Sequence, residues 1–315
     1  MRIVVVGAGL SGLAAANELT TAGHDVVVFD KGRSPGGRMA TRRMGTARLD
    51  HGAQFFTIRS DAFAAVVQPH IDSGLVYEWC RGFGVSDGYP RYAVRGGMTA
   101  LTKAMAAPLS VRCNALVFAI RRGKPPHAWD VQLDDGTHIV ADALVVTCPL
   151  PQSYSLLVSA EVELPEALVR ADYDRTIALL VALAGAPDVP EPGGAQHPTD
   201  TLSFVTDNQR KGVSDTPALT LHANAAWSEA HWDDDRDSLV AALSVAGAPF
   251  IGPAAIVDAQ LKKWRFATPR TIWPEPCWTA ADGRLVLAGD AFAGPKVEGA
   301  VISGLAAAAA VMTAG

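Results

Sequence analysis

Gly7, Gly9 and Gly12 stand at the spacing of a loop that brings backbone N–H groups against a phosphate. In such a loop Gly7 makes the tight turn, Gly9 admits a pyrophosphate to the backbone, and Gly12 lets a helix approach a strand. Leu10 and Ser11 lie between them, where a helix N-terminus would present N–H groups and a partial positive charge to an anion. Asp30 follows 18 residues after Gly12, near the roughly 20-residue spacing of an acid that accepts ribose hydroxyls. The chemistry this pattern points to is dinucleotide binding.

The elements needed to position these residues are present in order. "RIVVVG" is a continuous apolar run, as expected of a strand buried on both faces. "SGLAAANELTTAG" has helical composition and a glycine stop at Gly23. "DVVVFD" is a second strand ending at Asp30. Strand, glycine loop, helix, strand and acid together predict a Rossmann-like unit.

The chain has 315 residues, enough for two lobes. It is 49% hydrophobic and 19% charged, which excludes a disordered chain. A net charge of −5 offers no nucleic-acid surface. Cys80, Cys113, Cys148 and Cys277 lack metal spacing and are expected to be buried free thiols, with no metal bound. Met1 runs directly into the first strand, and the apolar end is too short and too rich in Ala and Gly for a membrane span. A cytoplasmic location is expected.

A second glycine pair bears on which dinucleotide is bound. In "DKGRSPGGRMATRR", Gly36 and Gly37 precede Arg38. This resembles the second glycine loop of the flavin-containing amine oxidase superfamily, which implies that Gly37 and Arg38 approach the FAD pyrophosphate. Lys31 and Arg42 flank the loop and are expected at the cofactor, Arg42 at a phosphate. "HIVADALVVTCPLP" resembles the superfamily's return to the dinucleotide domain. "GRLVLAGDAFAGPKVEGAVISGLAAAAAV" resembles its C-terminal motif. That resemblance implies that Asp290 bonds the ribityl chain, and that Glu298, Gly299 and Ala300 open a helix aimed at the flavin pyrimidine edge. A helix N-terminus there would stabilise the negative charge of reduced flavin by about 0.3–1 kcal/mol, and about 2 when partly buried. FAD is the expected cofactor. None of the four cysteines lies in the C-terminal motif, so it is expected to be held without a covalent link.

Further stretches resemble renalase and its bacterial relatives. They are "LDHGAQFFTIRS", "VRGGMTALTKAM", "LHANAAWSEAHWDDD" and "LKKWRFATPR". Phe56 and Phe266 depart from that pattern, where Tyr is expected. The resemblance implies oxidation of isomeric dihydronicotinamide dinucleotides, the 2- and 6-dihydro forms of NAD(P). Hydride would pass to flavin N5 and dioxygen would become hydrogen peroxide. Gly52, Ala53 and Gln54 of the first stretch are expected at the cofactor. Gln54, His222 and Trp264 are expected to serve catalysis, with His222 either donating to the substrate carboxamide or packing as a core residue. Asp50 and His51 are read as tying their own turn together.

The expected fold is α/β, a Rossmann-like FAD-binding domain with a second mixed-sheet substrate domain, of the amine oxidase and p-hydroxybenzoate hydroxylase type. The FAD lobe is placed at 1–60, 96–150 and 268–315, and the substrate lobe at 61–95 and 151–267. The rival readings are an oxidase of a small amine, for which Lys262, Lys263 or Lys296 could hold a water near N5, and a non-catalytic FAD-binding protein. A desaturase of a long apolar substrate fits the short substrate lobe less well.

Overall fold

The computed structural model describes residues 1–292 and 294–314. Its contacts divide the chain into two units, Met1–Gly37 with Thr102–Asp172 and Pro269–Gly315, and Arg38–Leu101 with Tyr173–Thr268.

The first unit is built on a six-stranded sheet. Its order is Trp278–Thr279, Leu285–Leu287, Ala143–Val146, Arg2–Val6, Asp25–Phe29 and Ser110–Arg112. Every pairing is parallel except that of the Trp278–Thr279 edge. The parallel strands are apolar along their length because both faces are covered; Ile3, Val4 and Val5 are wholly buried. The chain leaves Arg2–Val6 towards Asp25–Phe29 on one side, and Ala143–Val146 lies on the other. The glycine loop therefore begins at a topological switch point, beyond the carboxyl end of the central strand.

Helix Leu10–Thr21 follows, and helix Val297–Thr313 packs against it. Small residues permit that approach, since a Cβ on Gly304 would fall 2.1 Å from the Ser11 carbonyl oxygen. A three-stranded antiparallel sheet of Val117–Arg122, Trp129–Leu133 and His138–Ala141 completes the β structure of this unit.

The second unit carries a five-stranded sheet in the order Gly194–Gln196, Leu202–Asp207, Ala218–Ala223, Tyr173–Leu183 and Ile256–Pro269. Strand alternation sets its two faces. Leu219 and Leu221 join Ile177, Leu179 and Val181 in the core that packs on Leu239 and Leu243 of helix Arg236–Ile251. Thr220 and His222 therefore point to the opposite face. Hairpin Thr41–Met44/Ala47–Asp50 also belongs here, with a longer hairpin, Val76–Phe83/Val85–Val94.

The division differs from the boundaries expected from sequence. Residues 38–60 and 96–101 group with the second unit because Met44, Ala47 and Leu49 of the short hairpin pack on Leu180 and Ala218. Residues 151–172 group with the first, where helix Leu150–Leu157 and the following turn lie on strand Val117–Arg122. The four cysteines are free but partly exposed, not fully buried as expected. Among the described residues, no helix is long and apolar enough to cross a membrane.

Candidate active site

In the first unit the glycine motifs converge on one loop. Gly7 has φ +107°, a conformation that favours glycine, and a Cβ there would meet Thr147 Oγ1 at 2.6 Å. A Cβ on Gly12 would fall 1.9 Å from the Gly7 carbonyl oxygen. The second glycine pair docks here, with Gly36 N donating to Ala8 O at 2.9 Å. Gly37 (φ +54°) places its own Cβ position 3.5 Å from the Gly9 Cα. Asp30 ties the same loop, since Oδ2 accepts from Ala8 N at 2.7 Å and Oδ1 from Gly32 N at 2.6 Å. A carboxylate oxygen has a second lone pair, so both oxygens keep capacity for ribose hydroxyls. Lys31 reaches Gln152 Oε1 at 3.4 Å.

The loop fits a pyrophosphate. Gly9 is the N-cap of helix Leu10–Thr21 and supplies no side-chain cap to its first-turn N–H groups. A Cβ on Gly9 would meet nothing within 4 Å, so the space over it is open. Ser11 Oγ is buried without a hydrogen-bond partner among the described residues. At the C-terminal motif, Gly289 N donates to Ser303 Oγ at 2.9 Å, and Asp290 is buried beside it. Glu298 lies in the first turn of helix Val297–Thr313, and Lys296 at its N-cap makes no side-chain cap. A Cβ on Gly299 would fall 2.2 Å from Gly294 O, which holds the preceding loop against this turn; Ala300 N closes it on Lys296 O.

In the second unit, Arg38, Arg42, Gly52, Ala53, Gln54, His222 and Trp264 meet around the turn after strand Ala47–Asp50. Arg38 O accepts from Ala53 N at 2.9 Å, and a Cβ on Gly52 would fall 1.9 Å from that same oxygen. The Arg38 guanidinium bonds the Phe266 and Ala267 carbonyls at 3.3 and 3.2 Å. Arg42 Nε donates to Gln260 Oε1 at 3.2 Å. The His51 carbonyl accepts twice, from Trp264 Nε1 at 2.7 Å and from His222 Nε2 at 3.1 Å. The His51 ring stacks on Trp264 with centroids 5.3 Å apart. Gln54 Nε2 donates to Asp50 O at 2.8 Å and Gly52 O at 3.1 Å.

Two buried polar atoms on this turn are left over. Gln54 Oε1 and His51 Nδ1 have no hydrogen-bond partner among the described residues. Burial first, then the charges of Lys262, His222 and Arg42, push the His51 pKa down to about 3, so its ring is neutral at neutral pH. Burial also lowers His222.

The sequence left His222 either as a donor to the substrate carboxamide or as a core residue. A neutral imidazole has one N–H, and a carbonyl partner requires that it sit on Nε2. That N–H is engaged by the His51 carbonyl, and His222 is buried. Phe56 is buried and stacks on Tyr92 with centroids 5.8 Å apart. Phe266 packs edge-on against Tyr173.

Sequence reasoning missed His51 as more than a tie for its turn, although it lies in the quoted "LDHGAQFFTIRS" stretch. It also missed Lys211, which resembles any loop lysine but is wholly buried against Asp50.

A profile of NAD(P)-binding Rossmann-like domains matches residues 5–68, and one of flavin containing amine oxidoreductases matches residues 71–312. Over 85 residues the chain is 40% identical to the putative flavin-containing monoamine oxidase AofH of Mycobacterium tuberculosis, covering 24% of this chain and 19% of that protein. Over 67 residues it is 48% identical to phytoene dehydrogenase of Streptomyces griseus, covering 20% and 13%. These matches span under a fifth of the curated relatives' length.

Among solved structures, putrescine oxidase bound to putrescine superposes with a TM-score of 0.74 at 16% identity, covering 99% of both chains. Cyclohexylamine oxidase from Brevibacterium oxydans superposes at 0.70 and 15% identity, covering 99% of this chain and 98% of that one. At such identities the likeness is one of fold, a Rossmann-like domain joined to an amine oxidase domain. With the family profile covering most of its length, the chain belongs to the flavin-containing amine oxidoreductases, with FAD as its cofactor.

Proposed function

We propose that the chain is an FAD-dependent oxidase of isomeric dihydronicotinamide dinucleotides, the 2- and 6-dihydro forms of NAD(P), which it returns to NAD(P)+. FAD, when bound, supplies the hydride acceptor at N5 and passes the electrons to dioxygen as hydrogen peroxide. Gly7, Gly9, Leu10, Ser11, Gly12, Asp30 and Gly37 would hold its pyrophosphate and ribose. Asp290, Glu298, Gly299 and Ala300 would serve its ribityl chain and ring edge.

The observation that carries this reading is the pair of unsatisfied neutral atoms on one turn. A primary carboxamide offers one donor group and one acceptor. Gln54 Oε1 can take its N–H, and His51 Nδ1, in the tautomer with the proton there, can donate to its carbonyl. A buried polar atom without a partner costs about 1–3 kcal/mol, which a ligand that satisfies it recovers. His222 and Trp264 fix the His51 carbonyl, and the stacked indole sets the ring plane. This orientation serves hydride transfer, which needs alignment and exclusion of water more than a general base. The cations Arg42 and Lys262 disfavour an ammonium ion beside His51, which weighs against a charged amine.

The test is anaerobic mixing of the FAD-loaded protein with 6-dihydro-NAD, 2-dihydro-NAD and a panel of small amines. Flavin bleaching within seconds by the dihydronicotinamides alone is the expected result. Bleaching by amines alone would replace this reading with the amine oxidase one.

A further inference from the structure

Strand Ile256–Pro269 presents two different faces. Ala259 and Leu261 pack into the apolar core of the second unit. By strand alternation, Gln260, Lys262 and Trp264 share the opposite face. Trp264 is the residue that stacks on His51 and bonds its carbonyl. Gln260 is the residue that receives Arg42 Nε at 3.2 Å. One strand face thus runs from the neutral turn, through Lys262, to Arg42.

The two cations on this face lack counter-ions. Among the described residues, neither Arg42 nor Lys262 pairs with a carboxylate, and the Lys262 ammonium makes no hydrogen bond. Asp258, the next residue on that face, pairs with neither. Arg42 also lowers the Lys262 ammonium below the usual lysine range, after the effect of burial. Like charges held close without an anion repel and favour binding one. The second observation lies at the other end of the row, where His51 Nδ1 and Gln54 Oε1 are more than nine-tenths buried and unpartnered. Two residues of strand span about 7 Å, a step that suits a ring at Trp264 and its ribose phosphate at Lys262.

We infer that Arg42 and Lys262 form an anion subsite that grips the phosphate nearest the reacting ring of a nucleotide substrate, with Gln260 orienting Arg42. The assignment rests on the dihydronicotinamide reading above for the ring, but the anion subsite itself stands on the unpaired cations. It moves Arg42 from the cofactor, where sequence placed it, to the substrate. Arg supplies a planar fork for phosphate oxygens and Lys a point charge, so the two are not interchangeable.

The test uses the FAD-loaded protein and reads the change in flavin absorbance on titration with nicotinamide mononucleotide, nicotinamide riboside and inorganic pyrophosphate. Charge-assisted bonds to the phosphate should make the mononucleotide bind at least about tenfold tighter than the riboside. Arg42→Gln with Lys262→Gln should abolish that ratio and leave FAD content and melting temperature unchanged. Equal binding of mononucleotide and riboside by the parent protein would overturn the subsite, as would a ratio that survives both substitutions. Loss of FAD in the double variant would also overturn it and return the pair to the cofactor. If dihydronicotinamides are not oxidised but pyrophosphate still binds through Arg42 and Lys262, the subsite stands and the reading of the ring fails.

Discussion

Lys211 Nζ lies 2.8 Å from Asp50 Oδ2, and neither side chain is exposed to solvent. The Asp50 carboxylate is otherwise satisfied by Met98 N at 2.8 Å and Thr41 Oγ1 at 2.5 Å. Its backbone N–H and carbonyl are held by Asn208 Oδ1 and Thr220 Oγ1. The turn that carries His51 and Gln54 is therefore anchored through a buried ion pair. Burial pushes Lys211 down and the carboxylate opposes this.

Removing one partner leaves the other buried without its ion-pair contact. Lys211→Met should destabilise the protein by about 3–5 kcal/mol, the usual cost of an uncompensated buried charge. Lys211→Gln combined with Asp50→Asn replaces the pair by neutral amides and should recover more than half of that loss. Urea denaturation of the three variants measures both effects. A double variant no more stable than Lys211→Met would show that the charge is not the cause.

Stability should depend on pH through His51. Its folded pKa of about 3 lies below the unfolded value of 6.5. Between those values the unfolded chain binds a proton that the folded one does not. The contribution is fully present above pH 6.5 and is lost as pH falls towards 3, by about 1.4 kcal/mol per pH unit. His222, lowered by burial, shifts the same way. Unfolding free energies from pH 7 to pH 4 should show the slope, and His51→Gln should flatten it. An equal slope in both proteins would refute the assignment.

His222→Ala should act on the reaction through His51. The His51 carbonyl would keep only the Trp264 bond. Flavin reduction by 6-dihydro-NAD should slow by about tenfold, on the order of 1.4 kcal/mol in the barrier. Reoxidation by dioxygen and the flavin spectrum should stay unchanged. Stopped-flow reduction checks this, and normal reduction with a lowered melting point would make His222 a core residue only.

Asp30→Ala should lower FAD occupancy more than it lowers stability. The carboxylate holds Ala8 N and Gly32 N and would also hold ribose hydroxyls, each charge-assisted bond being worth about 1.5–3 kcal/mol. The ratio of flavin to protein after dialysis measures the loss. Acid precipitation of the parent protein should leave its yellow colour in the supernatant, as a non-covalent cofactor requires. Full loading of the variant at low free FAD would exclude Asp30 from the ribose.

The dinucleotide unit was legible in the sequence because its determinants are local. Gly7, Gly9, Gly12 and Asp30 act through turns and helix ends within 30 residues, and buried parallel strands show as unbroken apolar runs. The second unit was not legible in the same way. His51, Lys211, His222 and Trp264 are 213 positions apart at their extremes, and only sheet pairing and side-chain packing bring them to one turn. Hairpin Thr41–Met44/Ala47–Asp50 joins the second unit through Met44, Ala47 and Leu49, a choice set by the apolar surface it covers. Lys211 looked like a solvent-exposed loop residue because burial of a charge depends on a partner 161 residues away. Likewise, the proton of His222 is committed by a carbonyl 171 residues distant. Residue type and local spacing thus determined that the chain can hold a dinucleotide, while long-range packing decided which buried polar atoms of the second unit stay without a partner.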